Sequence, residues 1–294
     1  MEKRDYREGD EEKIISLFGK VFGKNIDLDF WRWKYHTPFG QGTIKLMFDG
    51  KELVGHYAVL PMALLINDEP VKACLSVDTM IHPDYRNQGL FTELANETYQ
   101  TVISKGVRLV YGFPNGNSYH GFTKCLGWAG LGKVVMWQKE IDTLHNLKFN
   151  WRRIKRVNQF ADDWNTKYAI TVPRTKDFLN WRFVLNPRVH YAKFILSEGY
   201  CVLKIYERKG HIVDMVAHDE AIMIELLHCA YDYFKKRDIS NVSCWCYGDD
   251  LMLRVVKKEG FSPVEMPTHF GFRVFDDLKL PEEWHLSMAD TDVF

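Results

Sequence analysis

Ser76-Val-Asp-Thr-Met-Ile-His-Pro-Asp-Tyr-Arg-Asn-Gln-Gly-Leu-Phe91 reads as a strand, a short loop, a glycine turn and the start of a helix. Val77, Thr79 and Ile81 alternate in the β-branched pattern of a buried strand. His82-Pro83-Asp84 ends it, because proline cannot donate to a ladder. Arg86-Asn87-Gln88-Gly89-Leu90-Phe91 then leads into a helical run from Thr92 to Ser104. Successive backbone N–H groups at a helix N-terminus make an anion site. Gly89 lets the main chain approach a bulky phosphate, and Arg86 sets a fixed positive charge beside it.

This stretch resembles motif A of the GNAT acyltransferases, Arg/Gln-x-x-Gly-x-Gly/Ala after a strand that ends in His-Pro-x-Tyr-Arg. Arg86 and Gly89 match, and Phe91 stands where the family has a small residue. Downstream, Asn115-x-x-Ser118-x-x-x-Phe122 followed by Leu126-Gly127-Trp128 is similar to motif B, Asn-x-x-Ala-x-x-x-Tyr…Leu-Gly-Phe. The resemblance implies an α/β (α+β) fold whose mixed β-sheet splays at its centre and is flanked by helices. It implies that residues 86–91 hold the pyrophosphate of an acyl-coenzyme A. The pantetheine arm lies between the two splayed strands, in reach of Asn115, Ser118 and Phe122. Splayed strands leave main-chain amides for that arm to pair with.

Composition fits this picture. The 39 Lys and Arg residues balance 39 Asp and Glu. A neutral chain lacks the broad basic face that non-specific nucleic-acid binding needs, so a nucleic-acid partner is not expected. Residues 2–13 are charged and have no apolar core of a leader. No apolar run is long enough to span a membrane. The six cysteines form no C-x-x-C pair, and Cys244 and Cys246 are adjacent same-strand residues, which bridge poorly. A reduced, cytoplasmic protein is expected.

The length suits two domains, and an internal repeat supplies the second. Asp29-Phe30-x-x-Trp33-Lys34-Tyr35 returns 148 residues later as Asp177-Phe178-x-x-Trp181-Arg182-Phe183, and the same offset carries Lys45 onto Lys193 and Val54 onto Val202. Gly260-Phe261 echoes Gly127-Trp128. Asp219-Glu220, however, stands where the Arg-x-x-Gly loop belongs, and two acids repel a pyrophosphate. The expectation is therefore two tandem GNAT-like domains: residues 1–141, which bind the acyl-CoA, a connection at 142–170, and a degenerate copy at 171–294. The basic run Trp151-Arg152-Arg153-Ile154-Lys155-Arg156 reads first as a solvated helix face and second as a phosphate contact for coenzyme A or a nucleotide-linked acceptor.

Acyl transfer to an amine needs a polarised carbonyl, a free amine and a proton for the leaving thiolate. A backbone N–H near Met80 or Ile81 serves the first need. Asp78 is the best-placed carboxylate, read either as a general base or amine anchor or as a buried acid tied into hydrogen bonds. His82 reads as part of the turn. The family's usual acid is the motif B tyrosine, and Phe122 occupies that position here without a proton to give. Tyr119 and His120, on the same short helix, are the substitutes, although they point to other faces of it. The remaining option is that the thiolate leaves unassisted. Trp31, His56 and Tyr57 are the candidates for an acceptor platform, with core packing as the plainer reading for Trp31. No metal-ligand spacing and no serine-nucleophile motif occur.

The expected activity is transfer of an acetyl or short acyl group from acyl-CoA, by direct attack in a ternary complex. The acceptor is the amine of a small polar molecule. An amino sugar, nucleotide-linked and bound for a surface polysaccharide, is favoured by resemblance alone. An aminoglycoside or a polyamine stays open, as do an aminoacyl-tRNA-dependent transferase, a non-catalytic acyl-CoA sensor and a homo-oligomeric state.

Overall fold

The computed structural model describes residues 1–141, 153–164, 168–247 and 251–292. Trp151 and Arg152 of the basic run lie outside them. The first half of the chain runs β1 (Glu2–Asp5), α1 (Glu11–Phe22), α2 (Leu28–Tyr35), β2 (Thr43–Asp49), β3 (Glu52–Ile66), β4 (Glu69–Ile81), α3 (Leu90–Ile103), β5 (Leu109–Gly112), α4 (Gly116–His120) and β6 (Ala129–Glu140). The second half runs α5 (Lys176–Phe183), β7 (Ala192–Leu196), β8 (Gly199–Tyr206), β9 (Lys209–Ala217), α6 (Glu220–Lys235), β10 (Asn241–Trp245), α7 (Leu251–Lys258) and β11 (Ser262–Val274).

The repeat is visible in detail. Helices α2 and α5 are each 8 residues long and start in the same repeat register. Asp27 caps α2 by accepting from the Phe30 N–H, and Thr175 caps α5 by accepting from the Phe178 N–H. The glycines before Trp128 and Phe261 both turn left-handed, Gly127 at φ 64° and Gly260 at φ 81°. Asp10 precedes α1. Its side chain makes no cap bond and instead takes the Arg4 guanidinium at 2.6 and 2.8 Å.

Two compact units are present, and they are not continuous in sequence as the 1–141 and 171–294 expectation draws them. The first comprises Met1–Leu64, Pro70–Gly132 and Thr268–Lys279; the second comprises Leu65–Glu69, Lys133–Pro267 and Leu280–Phe294. Each unit takes its final strand from the other half of the chain. In the first, β11 pairs antiparallel with β5, from Gly271↔Gly112 to Val274↔Leu109. In the second, β6 pairs antiparallel with β10, from Asn241↔Glu140 to Trp245↔Met136. The two halves thus exchange their last strands, and hydrophobic periodicity does not encode which neighbour a strand takes.

The first unit's strands run in the order β1-β2-β3-β4-β5-β11. Its core between sheet and α3 holds Tyr57, Leu90, Leu94, Tyr99, Val110, Phe122 and Trp128. The second unit runs β6-β10-β9-β8-β7, with α6 and α7 packed through Leu226, Leu227, Phe234, Val255 and Val256. No helix among the described residues is long and apolar enough to cross a membrane.

Candidate active site

The site lies where β4 and β5 of the first unit part. Their parallel pairing runs from Ala73↔Leu109 to Ser76↔Gly112. There β5 ends, and its continuation turns to β11: Asn115 bridges Thr268, and the His269 N–H donates to the Pro114 carbonyl at 2.8 Å. Strand β4 runs on to Ile81, held to β3 by the His82 N–H donating to the Val54 carbonyl at 2.8 Å. The sheet is therefore splayed at its centre, and its cause is Pro114 together with the competing strand β11.

Past the splay, β4 is distorted at Asp78, whose φ is 44°. Such a conformation in a non-glycine residue costs roughly 1–3 kcal/mol and persists only where its surroundings impose it. Those surroundings are ionic. Lys34 Nζ donates to Asp78 Oδ1 and Tyr35 Oη to Asp78 Oδ2, each at 2.8 Å. Both charged side chains are buried, at 6% and 7% exposure. Burial raises the Asp78 pKa, but the charge and hydrogen bond of Lys34, with His56 and the Tyr35 hydroxyl, together outweigh it and hold the carboxyl below the ordinary carboxylate value. Both oxygens of Asp78 are thus engaged, one by an ammonium and one by a phenol. The second unit repeats the pairing. Asp214 stands four residues before His218 as Asp78 stands before His82, and it carries the buried Arg174 at 2.9 Å.

His56 Nδ1 lies 2.8 Å from the Asp78 carbonyl oxygen and donates to it. Burial pushes the imidazole pKa down to about 4. His56 Nε2 has no hydrogen-bond partner among the described residues. The sign of the resulting pH dependence follows. Between pH 6.5 and 4 the unfolded chain protonates its histidine and the folded chain does not, so stability falls as pH falls through that window. Asp78 adds a further loss below the ordinary carboxylate pKa, where its ion pair is neutralised. The expected result is an unfolding free energy that drops by about 3 kcal/mol between pH 6.5 and 4 through His56. His56→Gln should flatten that part of the profile, as read by urea unfolding at each pH.

After β4, His82 does serve the turn. Its ring accepts from the Asp84 N–H at 3.4 Å and meets Tyr85 edge-on, with ring centroids 5.7 Å apart. Pro83–Tyr85 is one turn of 3₁₀ helix. Asn87 at φ 61° and Gly89 at φ 77° are left-handed, and residues 86–89 are exposed. The first intrahelical bond of α3 runs from the Glu93 N–H to the Gly89 carbonyl. The N–H groups of Leu90, Phe91 and Thr92 thus head the helix without an intrahelical acceptor. A Cβ on Gly89 would meet nothing within 4 Å, so the loop presents open main chain beside Arg86. The Leu90 side chain itself points into the core.

Phe91, the large residue at a small-residue position, is accommodated by Gly121. A Cβ on Gly121 would lie 2.8 Å from the Phe91 ring. Phe91 and Phe122 meet edge-on, with centroids 5.0 Å apart. Gly121–Cys125 continues α4 as a π-helical turn, where sequence spacing predicts a single helix over 119–125. Asn115 caps α4, its Oδ1 accepting from the N–H groups of Asn117 and Ser118 at 3.0 and 3.1 Å. The Tyr119 ring stacks on His269 at 4.0 Å and is half-buried, while His120 is exposed.

The three candidates for an acceptor platform are all buried. Trp31 is 1% exposed and Tyr57 fully enclosed. Trp31 packs between Tyr6 and Tyr35, with centroids at 5.3 and 4.8 Å. Tyr57 lies among Phe91, Tyr99 and Phe122. His56 is likewise enclosed. Strand alternation places His56 and Tyr57 on opposite faces of β3, and both faces are covered, which single-strand reading cannot show. Ser76, which opens the stretch that leads into the 86–91 loop, carries no site signature in the sequence. Its only signal was a hydroxyl at the point where pairing ends.

Residues 2–130 match the family described as the acetyltransferase (GNAT) domain. Splayed strands, a left-handed loop and a helix N-terminus come together in this first part of the chain, the part that the family model matches. No similar sequence was found among curated proteins. Solved structures share the fold over nearly the whole chain. A conserved protein from Enterococcus faecalis described as a probable N-acyltransferase is 13% identical, with TM-score 0.69, over 93% of this chain and 72% of that one. A putative acetyltransferase from Pyrococcus horikoshii is 12% identical, with TM-score 0.61, over 97% and 93%. Saccharomyces cerevisiae N-myristoyltransferase with bound myristoyl-CoA is 11% identical, with TM-score 0.60, over 92% and 77%. At these identities the likeness is one of fold.

Proposed function

We propose that the first unit binds an acetyl- or short acyl-CoA and transfers the acyl group to the amine of a small polar acceptor. The observation that carries this reading is the open main-chain loop of residues 86–91 at the head of α3, directly beyond the splay of β4 and β5. The N–H groups there and the Arg86 guanidinium suit a pyrophosphate. The N–H groups of Met80 and Ile81, past the distortion at Asp78, suit the pantetheine amides and the thioester carbonyl. Asn115 and Ser118, at the head of α4, and the Phe91 and Phe122 rings are assigned to the pantetheine arm. Direct attack in a ternary complex requires no protein nucleophile. No group of three or more metal-ligating side chains gathers among the described residues.

Asp78 holds β4 in its distorted course, and the chemistry is left to the main chain and to the acceptor's own amine. Tyr119, the phenol nearest the motif B helix's outer face, and His120 are the remaining side chains with a proton to exchange. The second unit carries Asp219 as the cap of α6, its Oδ1 accepting from the Ile222 N–H at 2.8 Å. A carboxylate already fills the place where a phosphate would go, so that unit is assigned no coenzyme.

The acceptor reading is an amino sugar or its nucleotide conjugate, in a cytoplasmic enzyme. The test incubates the full chain with acetyl-CoA and a panel of amino sugars, aminoglycosides and polyamines, and follows free thiol. Turnover with an amino sugar is expected. Thiol release with none of the amines, alongside tight coenzyme binding, would favour the sensor instead.

A further inference from the structure

Four side chains in the first unit form a hydrogen-bonded chain that ends at the splay. Trp128 Nε1 donates to Tyr99 Oη at 2.9 Å. Tyr99 Oη lies 2.8 Å from Tyr57 Oη, and Tyr57 Oη lies 2.9 Å from Ser76 Oγ. Trp128, Tyr99 and Tyr57 are buried, at 4%, 2% and 0% exposure, while Ser76 is only half-buried.

Proton counting fixes the direction of this chain. An indole N–H can only donate, and each hydroxyl has one proton. Tyr99 accepts from Trp128, and Tyr57 is the acceptor in reach of its own proton. Were Tyr57 to donate to Tyr99 instead, the Tyr99 proton would be left in the core without an acceptor, at about 1–3 kcal/mol. Tyr99 therefore donates to Tyr57, and Tyr57 to Ser76. Burial raises both phenol pKa values, so both stay protonated and able to donate. Ser76 Oγ accepts from Tyr57, and its own proton is the one the chain leaves unspent.

Ser76 is also the last residue of β4 paired to β5. Its partner Gly112 has no side chain, and a Cβ there would crowd Ser76 Cβ at 3.4 Å. The spare proton thus sits at the point where the two strands part.

Resting on the acyl-CoA reading of this site, we propose that the Ser76 hydroxyl is the hydrogen-bond donor that stabilises the leaving thiolate, with Tyr57 and Tyr99 as its positioning residues. The amine nitrogen forms its bond to the acyl carbon, and the C–S bond breaks with its electron pair on sulfur. The proton lost by the amine goes to water, and Ser76 keeps its own. A serine alkoxide is far too basic to form here, so the assistance is a hydrogen bond and not a proton transfer. The bonds behind Ser76 polarise its O–H and strengthen it as a donor. Phe122, which has no hydroxyl, needs none under this arrangement.

The test titrates the thiol of coenzyme A bound to the full chain, following thiolate absorbance in the ultraviolet, with binding measured separately by calorimetry. In the parent the bound thiol should titrate below free coenzyme A. Ser76→Ala should raise its pKa by about one unit, the size of one hydrogen bond to a charge, with coenzyme affinity nearly unchanged. Ser76→Thr, which keeps the hydroxyl, should restore the parent value, and Tyr57→Phe should fall between. A bound thiol that titrates identically in the parent and in Ser76→Ala overturns the assignment. Failure of the parent to bind coenzyme A at all overturns the acyl-CoA reading beneath it.

Discussion

Gly89→Glu is expected to abolish coenzyme A binding while leaving the protein folded. The residue sits at φ 77°, and a Cβ there would contact nothing within 4 Å. The substitution therefore displaces no neighbour. Its cost to folding is the left-handed conformation, about 1–2 kcal/mol for a residue with a Cβ. Its cost to binding is larger. The new carboxylate stands on the loop whose main chain and Arg86 are assigned the pyrophosphate, and it brings bulk and like charge together. Affinity should fall at least about a hundredfold, close to 3 kcal/mol. Gly89→Ala, which carries the backbone strain without the charge, should lose far less. Calorimetric titration of both variants with coenzyme A checks this. Equal binding by Gly89→Glu and the parent would remove the coenzyme from residues 86–91.

Arg174→Met is expected to unfold the second unit. Arg174 is buried, and its guanidinium bridges two carboxylates. It donates to Asp214 Oδ2 and Oδ1 at 2.9 and 3.2 Å, and to Asp290 Oδ1 and Oδ2 at 2.7 and 3.0 Å. Ser287 Oγ and Tyr200 Oη donate to Asp214 at 2.8 and 2.5 Å. Both carboxylates have 0% exposed side chains. Removing the cation strands two buried charges, and breaking even one buried pair costs about 3–5 kcal/mol. That is a large share of the 5–15 kcal/mol that holds a typical domain. Arg174→Met should lose near-ultraviolet circular dichroism and its cooperative thermal transition. Adding Asp214→Asn and Asp290→Asn should recover part of both, because the stranded charges are then gone. A thermal midpoint unchanged in the single variant would show that the network holds nothing together. The same network carries an acid limit. Burial raises the Asp214 pKa, and the charge and hydrogen bonds of Arg174 together with the Tyr200 and Ser287 hydroxyls more than reverse it, leaving the carboxyl below its ordinary value. This stability is complete above the ordinary carboxylate pKa and is lost as pH falls below it.

The two networks explain what the second half retains. Asp78 and Asp214 occupy the same place before the end of their strands, and each is held by a buried cation, Lys34 in one unit and Arg174 in the other. The ion pair is present in both units, and the Arg-x-x-Gly stretch in the first alone. Lys34 and Arg182 match in the repeat, yet Arg182 bonds Tyr191 Oη and the carbonyls of Ala289 and Thr291. The cation for Asp214 comes instead from Arg174, ahead of α5. Residue correspondence alone does not give the partner. The basic run is not the helix face that its plainer reading expects over its described part. Arg153 faces Glu225 at 3.4 Å, and Lys155 and Arg156 pair with Ile195 and Phe194 as a short strand.

By itself the sequence determined the local chemistry of this protein. Proline after a β-branched run, then Arg-x-x-Gly ahead of a helix, dictates a strand, a left-handed turn and an N-terminal row of N–H groups, because each depends on residues adjacent in the chain. The repeat was legible for the same reason, as the caps of α2 and α5 recur in register and a glycine turn recurs further on. Tertiary structure alone decided which faces are covered and which strands are neighbours. It placed Tyr57 and His56 on opposite, equally buried faces of one strand, and it brought β11 and not β6 beside β5. It also joined Trp128, Tyr99 and Tyr57 into a donor chain ending at Ser76. Burial and hydrogen-bond direction depend on groups far apart in sequence, and no periodicity records them.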